Sequence, residues 1–444
     1  MLSWLRKKTK TIMIVVAVVF AGSMFYGIGF KGLGGDFGGS NNPNVIAKVN
    51  GREVTAIRYR EILNRVATEY GKNKELTPTD LAMIESLALG QAIDFTMLVG
   101  EARKKVRVSG REIDATIDNI MKQQKVSSKR DLEKALKAMG LDLGKFKDLI
   151  RDDILVQKLN TKLQEQVRLT PDDLREIRAS HILVPTEAEA KELLSKLKAG
   201  GDFAQLAKQY SKDTGSAKKG GDLGYFTTGM MVEPFEQTVL SLKPGQVSGI
   251  VKTQFGYHII KVTDSRIRNI SEEQALQEKK AKTFQRWHAE VAGKAKVEVL
   301  NPVLKGHDYR FKGMLQPAIT EYKKGLQQEP NNPMIYLYLG ELYLSAGRKD
   351  LAIAEYENAV KIEGGNPELY IVLGKAYEQA GESELASAQF RKASLVAGDS
   401  KELHEKLLAM FQKLKKGREV AQEKAELQRI QRKLEFEKEL QGGK

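Results

Sequence analysis

The fold of the middle of this 444-residue chain is indicated by the sequence RASHILV at residues 178–184. Its alternation of polar and apolar residues is typical of a β-strand. A second strand-like run, YHIIKV, follows at residues 257–262. Each run contains one histidine, so two of the five histidines of the chain, His181 and His258, lie inside apolar strands. We expect the chemistry of the protein to lie between these strands.

Four separated motifs occur in this part of the chain. They are SHIL at 180–183, GGDLG at 220–224, PFE at 234–236 and GYHII at 256–260. With these motifs in this order, the unit 178–264 resembles parvulin, the small peptidyl-prolyl cis/trans isomerase. The resemblance implies a four-stranded antiparallel sheet wrapped by helices. It places strands near 178–184, 222–226, 247–253 and 257–262, and helices near 187–199, 203–210 and 233–240.

The resemblance also implies the residues of the active site. The proline pocket is lined by Leu223, Met231 and Phe235, with Phe226 beside it. His181 and His258 match the paired inner histidines of the family, and Thr253 matches the residue that joins their hydrogen bonds. Asp213 matches the position near the substrate carbonyl, where a carboxylate disfavours the planar carbonyl dipole. The implied reaction needs no cofactor, no metal and no covalent intermediate.

Each of these residues also has a plainer interpretation. The two histidines can be satisfied core residues, the pocket side chains can be ordinary core, and Asp213 can be a loop or capping acid. Gly220-Gly221 is interpreted as a tight turn with positive φ. The segment PTEAE at 185–189 lacks the basic cluster of phosphate-selective parvulins. We therefore expect substrates to be unphosphorylated.

The N-terminus predicts a membrane anchor. Four basic residues between Arg6 and Lys10 precede an uncharged run at 11–30, and about 20 residues of helix span a hydrocarbon core. The alternative is a cleaved signal, although its apolar region is usually shorter, about 7–15 residues. The basic flank should stay in the cytoplasm. This orientation places the rest of the chain in the periplasm, beyond the bacterial inner membrane.

The region 44–177 predicts a mostly helical domain that begins with a hairpin around Asn50-Gly51. Its opening, VIAKVNGREV at 45–54, resembles the chaperone domain of bacterial SurA, PpiD and PrsA. After a charged helix near 271–292, a short strand follows at 295–300. We expect this strand to pair with 45–49, so that 265–300 completes the helical domain and the parvulin-like unit is inserted into it.

From about residue 301 the sequence repeats every 34 residues, as when Asn332-Pro333 recurs at Asn366-Pro367. Three sets of small residues keep this register: Gly306, Gly340 and Gly374; Gly313, Gly347 and Gly381; and Ala318, Ala352 and Ala386. Two aromatic sets do so as well: Tyr309, Tyr343 and Tyr377; and Tyr322, Tyr356 and Phe390. The pattern resembles the tetratricopeptide repeat, a helix–turn–helix that stacks into a solenoid. A generic helical bundle is the plainer alternative.

Composition narrows the possible partners. The chain has no cysteine, which excludes disulfides, thiolate chemistry and a lipid-modified N-terminal cysteine. Its net charge of +15 is spread over helical segments, and no nucleic-acid-binding pattern accompanies it. We expect a solvated surface, or one facing anionic lipid, and no nucleic acid partner.

The sequence thus predicts an α+β multidomain protein. Its parts are a basic flank at 1–10, an anchor at 11–30, a linker at 31–43, the helical domain at 44–177 with 265–300, the isomerase domain at 178–264, three repeats at 301–399, and a capping helix with a charged tail at 400–444. The function expected from the resemblance is a membrane-anchored isomerase and chaperone acting on unfolded or newly exported polypeptides, with a protein partner on the repeats. The alternatives are a chaperone with a catalytically weak parvulin unit and a repeat scaffold.

Overall fold

The computed structural model of the protein describes residues 44–71, 76–138 and 140–442. The predicted flank, anchor and linker at 1–43 lie outside these residues. The strands are β1 (Val45–Val49), β2 (Arg52–Thr55), β3 (Arg175–Val184), β4 (Asp222–Phe226), β5 (Val251–Thr253), β6 (Gly256–Ile267) and β7 (Val297–Val299). Before the repeats the helices are α1 (Ala56–Tyr70), α2 (Pro78–Lys105), α3 (Gly110–Gln123), α4 (Lys129–Ala138), α5 (Leu143–Glu165), α6 (Glu187–Lys198), α7 (Phe203–Tyr210), α8 (Glu233–Ser241) and α9 (Glu272–Lys294).

The remaining helices belong to the C-terminal part of the chain. They are α10 (Pro302–Phe311), α11 (Leu315–Gln328), α12 (Pro333–Ser345), α13 (Lys349–Ile362), α14 (Pro367–Ala380), α15 (Ser383–Val396), α16 (Lys401–Lys413) and α17 (Gly417–Gly442). The described residues form two compact units. One contains 102–108 and 153–294, and the other contains 44–101, 109–152 and 295–442.

The first unit is built on a four-stranded antiparallel sheet in the order β4-β3-β6-β5. Strands β3 and β6 are longer than predicted because they stay paired beyond 178 and 264, as far as Arg175 and Ile267. Helix α9 lies in this unit, although the sequence places it with the helical domain. One turn of 3-10 helix at Pro171–Leu174 precedes β3.

Strand β5 is shorter than the predicted strand at 247–253. Val247 makes only an isolated bridge with Lys261. Between this bridge and β5, the Ser248 hydroxyl accepts a hydrogen bond of 2.9 Å from the backbone N–H of Ile260. Because a side chain takes the acceptor role that a backbone carbonyl has in a regular ladder, the strand begins only at Val251.

The second unit contains the predicted pairing of the two ends of the helical region. Strand β1 pairs with both β2 and β7, in the order β2-β1-β7. Ala47 lies opposite Val299 and Val49 lies opposite Val297. The expected pairing of 45–49 with 295–300 is therefore confirmed.

The repeats pack through close contacts between glycines and aromatic rings. A Cβ atom on Gly340 would lie 2.2 Å from Cε1 of Tyr356, and one on Gly374 would lie 2.4 Å from the Phe390 ring. Both rings are almost completely buried. These contacts confirm the expectation that small residues let the paired helices approach while aromatic residues fill the space between them.

Helix α2 shares the hydrophobic core of the repeats. Ala82 belongs to the same buried cluster as the repeat residues, and Glu85 lies one turn further along. The Glu85 carboxylate lies 2.6 Å from Nε2 of His307, and Nδ1 of His307 lies 2.7 Å from the Tyr322 hydroxyl. Tyr338 donates a further hydrogen bond of 3.3 Å to Glu85. This polar network is buried, so the first repeat and helix α2 are joined without intervening solvent.

Helix α2 is also the one described helix that is long and apolar enough to cross a membrane by length and composition. Half of its most apolar window is buried inside the protein, and Ala82 and Glu85 account for part of that burial. Burial of this kind is typical of a core helix.

Candidate active site

Strands β3 and β6 place the two predicted histidines side by side. Ile260 lies opposite His181, and His258 is two residues before Ile260 on the same strand. Because residues two apart on a strand share a face, both imidazoles lie on one face of the sheet. Their ring centroids are 5.3 Å apart, and the planes are inclined by only 21°. Both side chains are buried.

The loop after helix α7 brings Asp213 to this pair. It is tied to strand β3 by a hydrogen bond from Lys212 N to Leu183 O (2.7 Å) and by one from Leu183 N to the Ser211 hydroxyl (3.1 Å). As a result, Oδ2 of Asp213 lies 2.8 Å from Nε2 of His181.

A continuous series of hydrogen bonds runs from Asp213 across both histidines. The Nδ1 atoms of His181 and His258 are 3.1 Å apart, and Nε2 of His258 lies 2.8 Å from the Thr253 hydroxyl. That hydroxyl accepts a hydrogen bond of 3.1 Å from Phe255 N. The four predicted catalytic residues are thus brought together in one network.

The direction of the hydrogen bonds follows from their two ends. An ionised carboxylate can only accept, so Nε2 of His181 carries a hydrogen and donates it to Asp213. In neutral His181 the other nitrogen, Nδ1, must then accept from His258 Nδ1. This leaves Nε2 of His258 as an acceptor for the Thr253 hydroxyl hydrogen. One proton therefore lies between the two imidazoles.

The pKa values of the charged groups agree with this direction. Burial opposes ionisation of Asp213, but hydrogen bonds from Ser216, His181 and the Gly215 amide outweigh it and lower its pKa to about 2. Burial, and next the neighbouring His181, lower the pKa of His258 to about 4. At neutral pH Asp213 is therefore ionised and His258 is neutral, as the acceptor role of Nε2 requires.

The predicted pocket residues lie against the histidine pair. The Phe235 ring stands almost perpendicular to both imidazoles, with centroids 5.8 Å from His181 and 5.5 Å from His258. Phe226 is 6.5 Å from Phe235, and Leu223 and Met231 pack against the same cluster. Phe226 and Phe235 are buried, whereas Leu223 and Met231 are half-buried. The four side chains therefore form one apolar group with a partly open side.

The glycine pair before strand β4 is required by a close backbone approach. The backbone N–H of His181 donates to Gly221 O at 2.9 Å. A Cβ atom on Gly221 would lie 2.3 Å from the His181 carbonyl oxygen, and its φ of +82° is strained for other residues. Gly220 also has positive φ. The predicted tight turn is thus found here, and it holds the second motif against strand β3.

Ser216 is a site residue that the sequence prediction missed. Its hydroxyl donates a short hydrogen bond to Asp213 and lies 3.2 Å from Nε2 of His181. The side chain is buried. The one signal in the sequence was its position three residues after Asp213, and in the structure Ser216 directly precedes a 3-10 turn at Ala217–Lys219.

Metal-binding groups are not assembled around this network. Within the described part of the chain, no three histidine, aspartate or glutamate side chains converge in a way that could hold a metal ion. The polar groups of the site are instead occupied by one another. What the arrangement offers a ligand is an apolar surface next to an ionised carboxylate.

Family models match most of the chain. The PPIC-type PPIASE domain matches residues 161–266, and the SurA-like N-terminal domain matches residues 1–160. A TPR repeat model matches 306–347, and a tetratricopeptide repeat model matches 335–366 and 367–399. The four-stranded unit is thus a parvulin-type isomerase domain by sequence family, and the 34-residue period is that of tetratricopeptide repeats.

Similar proteins are named as foldases. Foldase protein PrsA of Caldanaerobacter subterraneus is 30% identical over 283 residues, which are 57% of this chain and 87% of that protein. Foldase protein PrsA of a Geobacillus species is 44% identical over 173 residues, which are 36% of this chain and 58% of that protein. This chain therefore matches somewhat more than half of the length of that relative. The crystal structure of a peptidylprolyl isomerase (PrsA) from Bacillus anthracis is 33% identical, with 46% of this chain and 93% of that chain covered and a TM-score of 0.30.

Proposed function

The chain belongs to the family of PrsA foldases, and we propose that it is a peptidyl-prolyl cis/trans isomerase and chaperone for exported polypeptides. The observation that carries the proposal is the hydrogen-bonded series from Asp213 through His181 and His258 to Thr253, with both imidazoles against the ring of Phe235. The proposed substrate is the peptide bond before a proline in an extended chain, where the residue that precedes the proline carries no phosphate.

The reaction is a rotation and not a bond cleavage. The cis and trans forms of such a bond differ by only about 0.5–1 kcal/mol, yet they exchange slowly. The barrier of about 18–20 kcal/mol arises because the twisted amide loses its resonance. A protein accelerates the exchange if it binds the twisted form better than either planar form.

The apolar group beside the histidines is suited to hold the proline ring. We propose that Leu223, Phe226, Met231 and Phe235 form this pocket. Burial of the ring fixes one side of the amide while the preceding residue rotates. The half-buried Leu223 and Met231 provide the accessible side of the pocket.

We propose that Asp213 acts on the carbonyl that rotates. Its low pKa keeps the carboxylate charged at neutral pH. A fixed negative charge near the carbonyl oxygen raises the energy of the planar amide, in which that oxygen carries the most negative charge. His181, His258 and Thr253 hold the carboxylate in place, and the Ser216 hydroxyl donates to the same carboxylate oxygen as His181.

The test is an exchange assay with a proline-containing peptide and the full chain. Two unit charges about 4 Å apart interact by about 4 kcal/mol at an effective dielectric constant of about 20, and a carbonyl oxygen carries only part of a unit charge. Asp213→Ala should therefore lower kcat about 10- to 100-fold with a smaller change in KM. Asp118→Ala, at an exposed aspartate on helix α3, is the matched control and should leave both constants unchanged. Met231→Ala should mainly raise KM. Unchanged turnover in Asp213→Ala would contradict the assigned role.

The substrate should be unphosphorylated. Glu187 and Glu189 occupy the first turn of helix α6, directly after strand β3. Glu189 accepts hydrogen bonds from Thr186, and Glu187 pairs with Lys191 at 2.7 Å. Because these carboxylates oppose an added anion, a phosphate before the proline should not raise kcat/KM. An increase would contradict this specificity.

We further propose that the chain is anchored in the bacterial inner membrane by 11–30, with the remainder in the periplasm. The support is the charge and hydropathy of the N-terminal sequence. The helical domain that begins at residue 44 would hold unfolded chains, and the repeats at 301–399 would bind a partner or a client segment. If the full chain prevents aggregation but leaves proline exchange as slow as buffer does, the chaperone without catalysis is the correct alternative.

A further inference from the structure

The loop 227–232 connects strand β4 to helix α8 and carries Met231 of the proposed proline pocket. The peptide group between Thr228 and Gly229 is held at both ends. Lys282 donates to the carbonyl oxygen of Thr228 at 2.9 Å, and the N–H of Gly229 donates to Oε2 of Glu236 at 2.6 Å. A peptide group bonded on both sides has a fixed plane. The direction in which the chain leaves toward Met231 is therefore set here.

Lys282 contacts this loop through a second hydrogen bond and through the packing of its aliphatic stem. Its Nζ also donates to the Thr227 hydroxyl at 2.7 Å, so two acceptors on neighbouring residues share one ammonium. A Cβ atom on Gly229 would lie 3.2 Å from Cδ of Lys282, and Gly229 has a φ of +81°. The backbone of the loop thus packs directly on the lysine stem, and only glycine fits this position without strain.

A second contact ties the same loop to helix α9. The Thr228 hydroxyl donates to Oδ1 of the buried Asp173 at 2.8 Å, and Lys279 pairs with the other oxygen of Asp173 at 2.7 Å. Lys279 and Lys282 lie three residues apart, on one face of helix α9. Two lysines of one helix therefore hold the loop, one directly and one through Asp173.

Burial has the largest effect on the Lys282 amine and lowers its pKa, as does Arg268, while Glu278, Glu236 and Asp173 raise it. The net shift of the pKa is downward, so the surroundings do not by themselves favour the charged form. The contacts with Thr227 and Thr228 depend on the N–H donors of the amine.

Helix α9 (Glu272–Lys294) lies after the residues that match the isomerase family, 161–266. We propose that Lys282 is a positioning residue that fixes loop 227–232 and thereby holds Met231 in the proline pocket, from a helix that lies outside the residues matched by the isomerase family. The inference rests on the proposed function, since it assigns Met231 to substrate binding. It implies that an isomerase fragment ending near residue 266 lacks part of what shapes its pocket.

The test compares lysine variants in the full chain. Lys282→Met keeps the length of the side chain but removes its donors, so KM for a proline peptide should rise roughly three- to tenfold while kcat changes less than twofold. Lys282→Arg retains donors and should restore most of the loss. Lys294→Met, at the exposed end of the same helix, is the control and should match the unaltered chain. Thr227→Val removes one acceptor only and should give a smaller rise in KM.

A second readout does not depend on catalysis. In Lys282→Met the Gly229 amide should exchange its hydrogen faster and the Met231 methyl resonance should shift, while the melting temperature stays within a few degrees. If the unaltered chain fails to accelerate proline exchange, the proposed function fails, and these two signals still decide the role of Lys282. An unchanged KM together with an unchanged Gly229 amide and Met231 methyl would overturn the inference.

Discussion

Replacing Thr253 with valine probes the end of the hydrogen-bonded series. Valine has nearly the shape of threonine but cannot form hydrogen bonds through its side chain. Two contacts are lost, the one at 2.8 Å to Nε2 of His258 and the one at 3.1 Å from Phe255 N. The rest of the series, from Asp213 to His181, is left unaltered by the substitution.

The magnitude follows from which partner stays buried. His258 is 4% exposed, so its Nε2 cannot replace the lost hydroxyl with bulk water. An unsatisfied buried polar group costs about 1–3 kcal/mol. Phe255 is exposed, and water can satisfy its amide at little cost. We therefore expect the free energy of opening of the four-stranded sheet to fall by about 1–3 kcal/mol. Nearly all of this loss comes from the unsatisfied Nε2 of His258.

Hydrogen exchange of the strand β6 amides is the appropriate assay, because denaturant unfolding of a chain with several domains is not a single transition. The control is Thr263→Val on the same strand, since the Thr263 hydroxyl donates to Arg178 O at an exposed position. It should change the opening free energy by less than about 0.5 kcal/mol. Equal effects of the two variants would refute the reasoning. A protonated Nε2 of His258 in the nitrogen NMR spectrum of the unaltered protein would also refute it.

Two further predictions concern stability. Gly340→Ala should destabilise the repeats by about 1–3 kcal/mol, because its Cβ would lie 2.2 Å from the Tyr356 ring. Gly90→Ala on helix α2, where nothing lies within 4 Å, should instead stabilise by about 0.4–1 kcal/mol. Hydrogen exchange of the amides in the repeats and in helix α2 distinguishes the two. Lowering the pH from about 6.5 to 4 should destabilise the isomerase sheet, because the pKa of His258 is about 4 in the folded protein and about 6.5 when unfolded, so that only the unfolded chain takes up the proton in this window. The contribution of Asp213, whose folded pKa is about 2, should be lost only below about pH 4. The opening free energy of strand β6 is obtained from amide exchange after correction for the effect of pH on the intrinsic exchange rate. If this free energy stays constant between pH 7 and 4.5, the assignment for His258 is contradicted.

Much of the local structure could be predicted from the sequence. The region 44–177 is mostly helical, as predicted. The Asn50-Gly51 turn and the pairing of β1 with β7 were predicted as well. The helices and the turn depend on periodicity and turn chemistry, which a single sequence contains, and the pairing of β1 with β7 was inferred from two strand-like segments at the ends of the helical region.

Strand β5 shows where such patterns are insufficient. The resemblance to parvulin places a longer strand at 247–253, but the Ser248 hydroxyl takes a backbone acceptor role and interrupts the ladder. Ser216 was missed for a related reason. A serine in a polar loop has many partners available, and only the fold shows that this one is buried against Asp213.

Contacts between distant side chains that neither a strand pattern nor a family resemblance links could not be predicted. Glu85 and His307 are 222 positions apart, and neither has a neighbouring motif that identifies its partner. The contact of Lys282 with Thr228 is similar, since a lysine on a charged helix is usually solvated. Burial and partner choice in these cases depend on tertiary packing, which local patterns do not determine.

The network around Glu85 affects how shortened forms of this protein should be interpreted. A chain ending at Leu300 would lose His307 and Tyr338 and with them the cover over Ala82 and Glu85. The truncated protein would expose an apolar surface that is buried in the full chain, with Glu85 at its centre and without its partners His307 and Tyr338. Such an apolar surface can bind misfolded polypeptides non-specifically. Stronger client binding after truncation would therefore result from the newly exposed surface and would not measure the function of the repeats. Point changes on the outer surface of the repeats avoid this ambiguity.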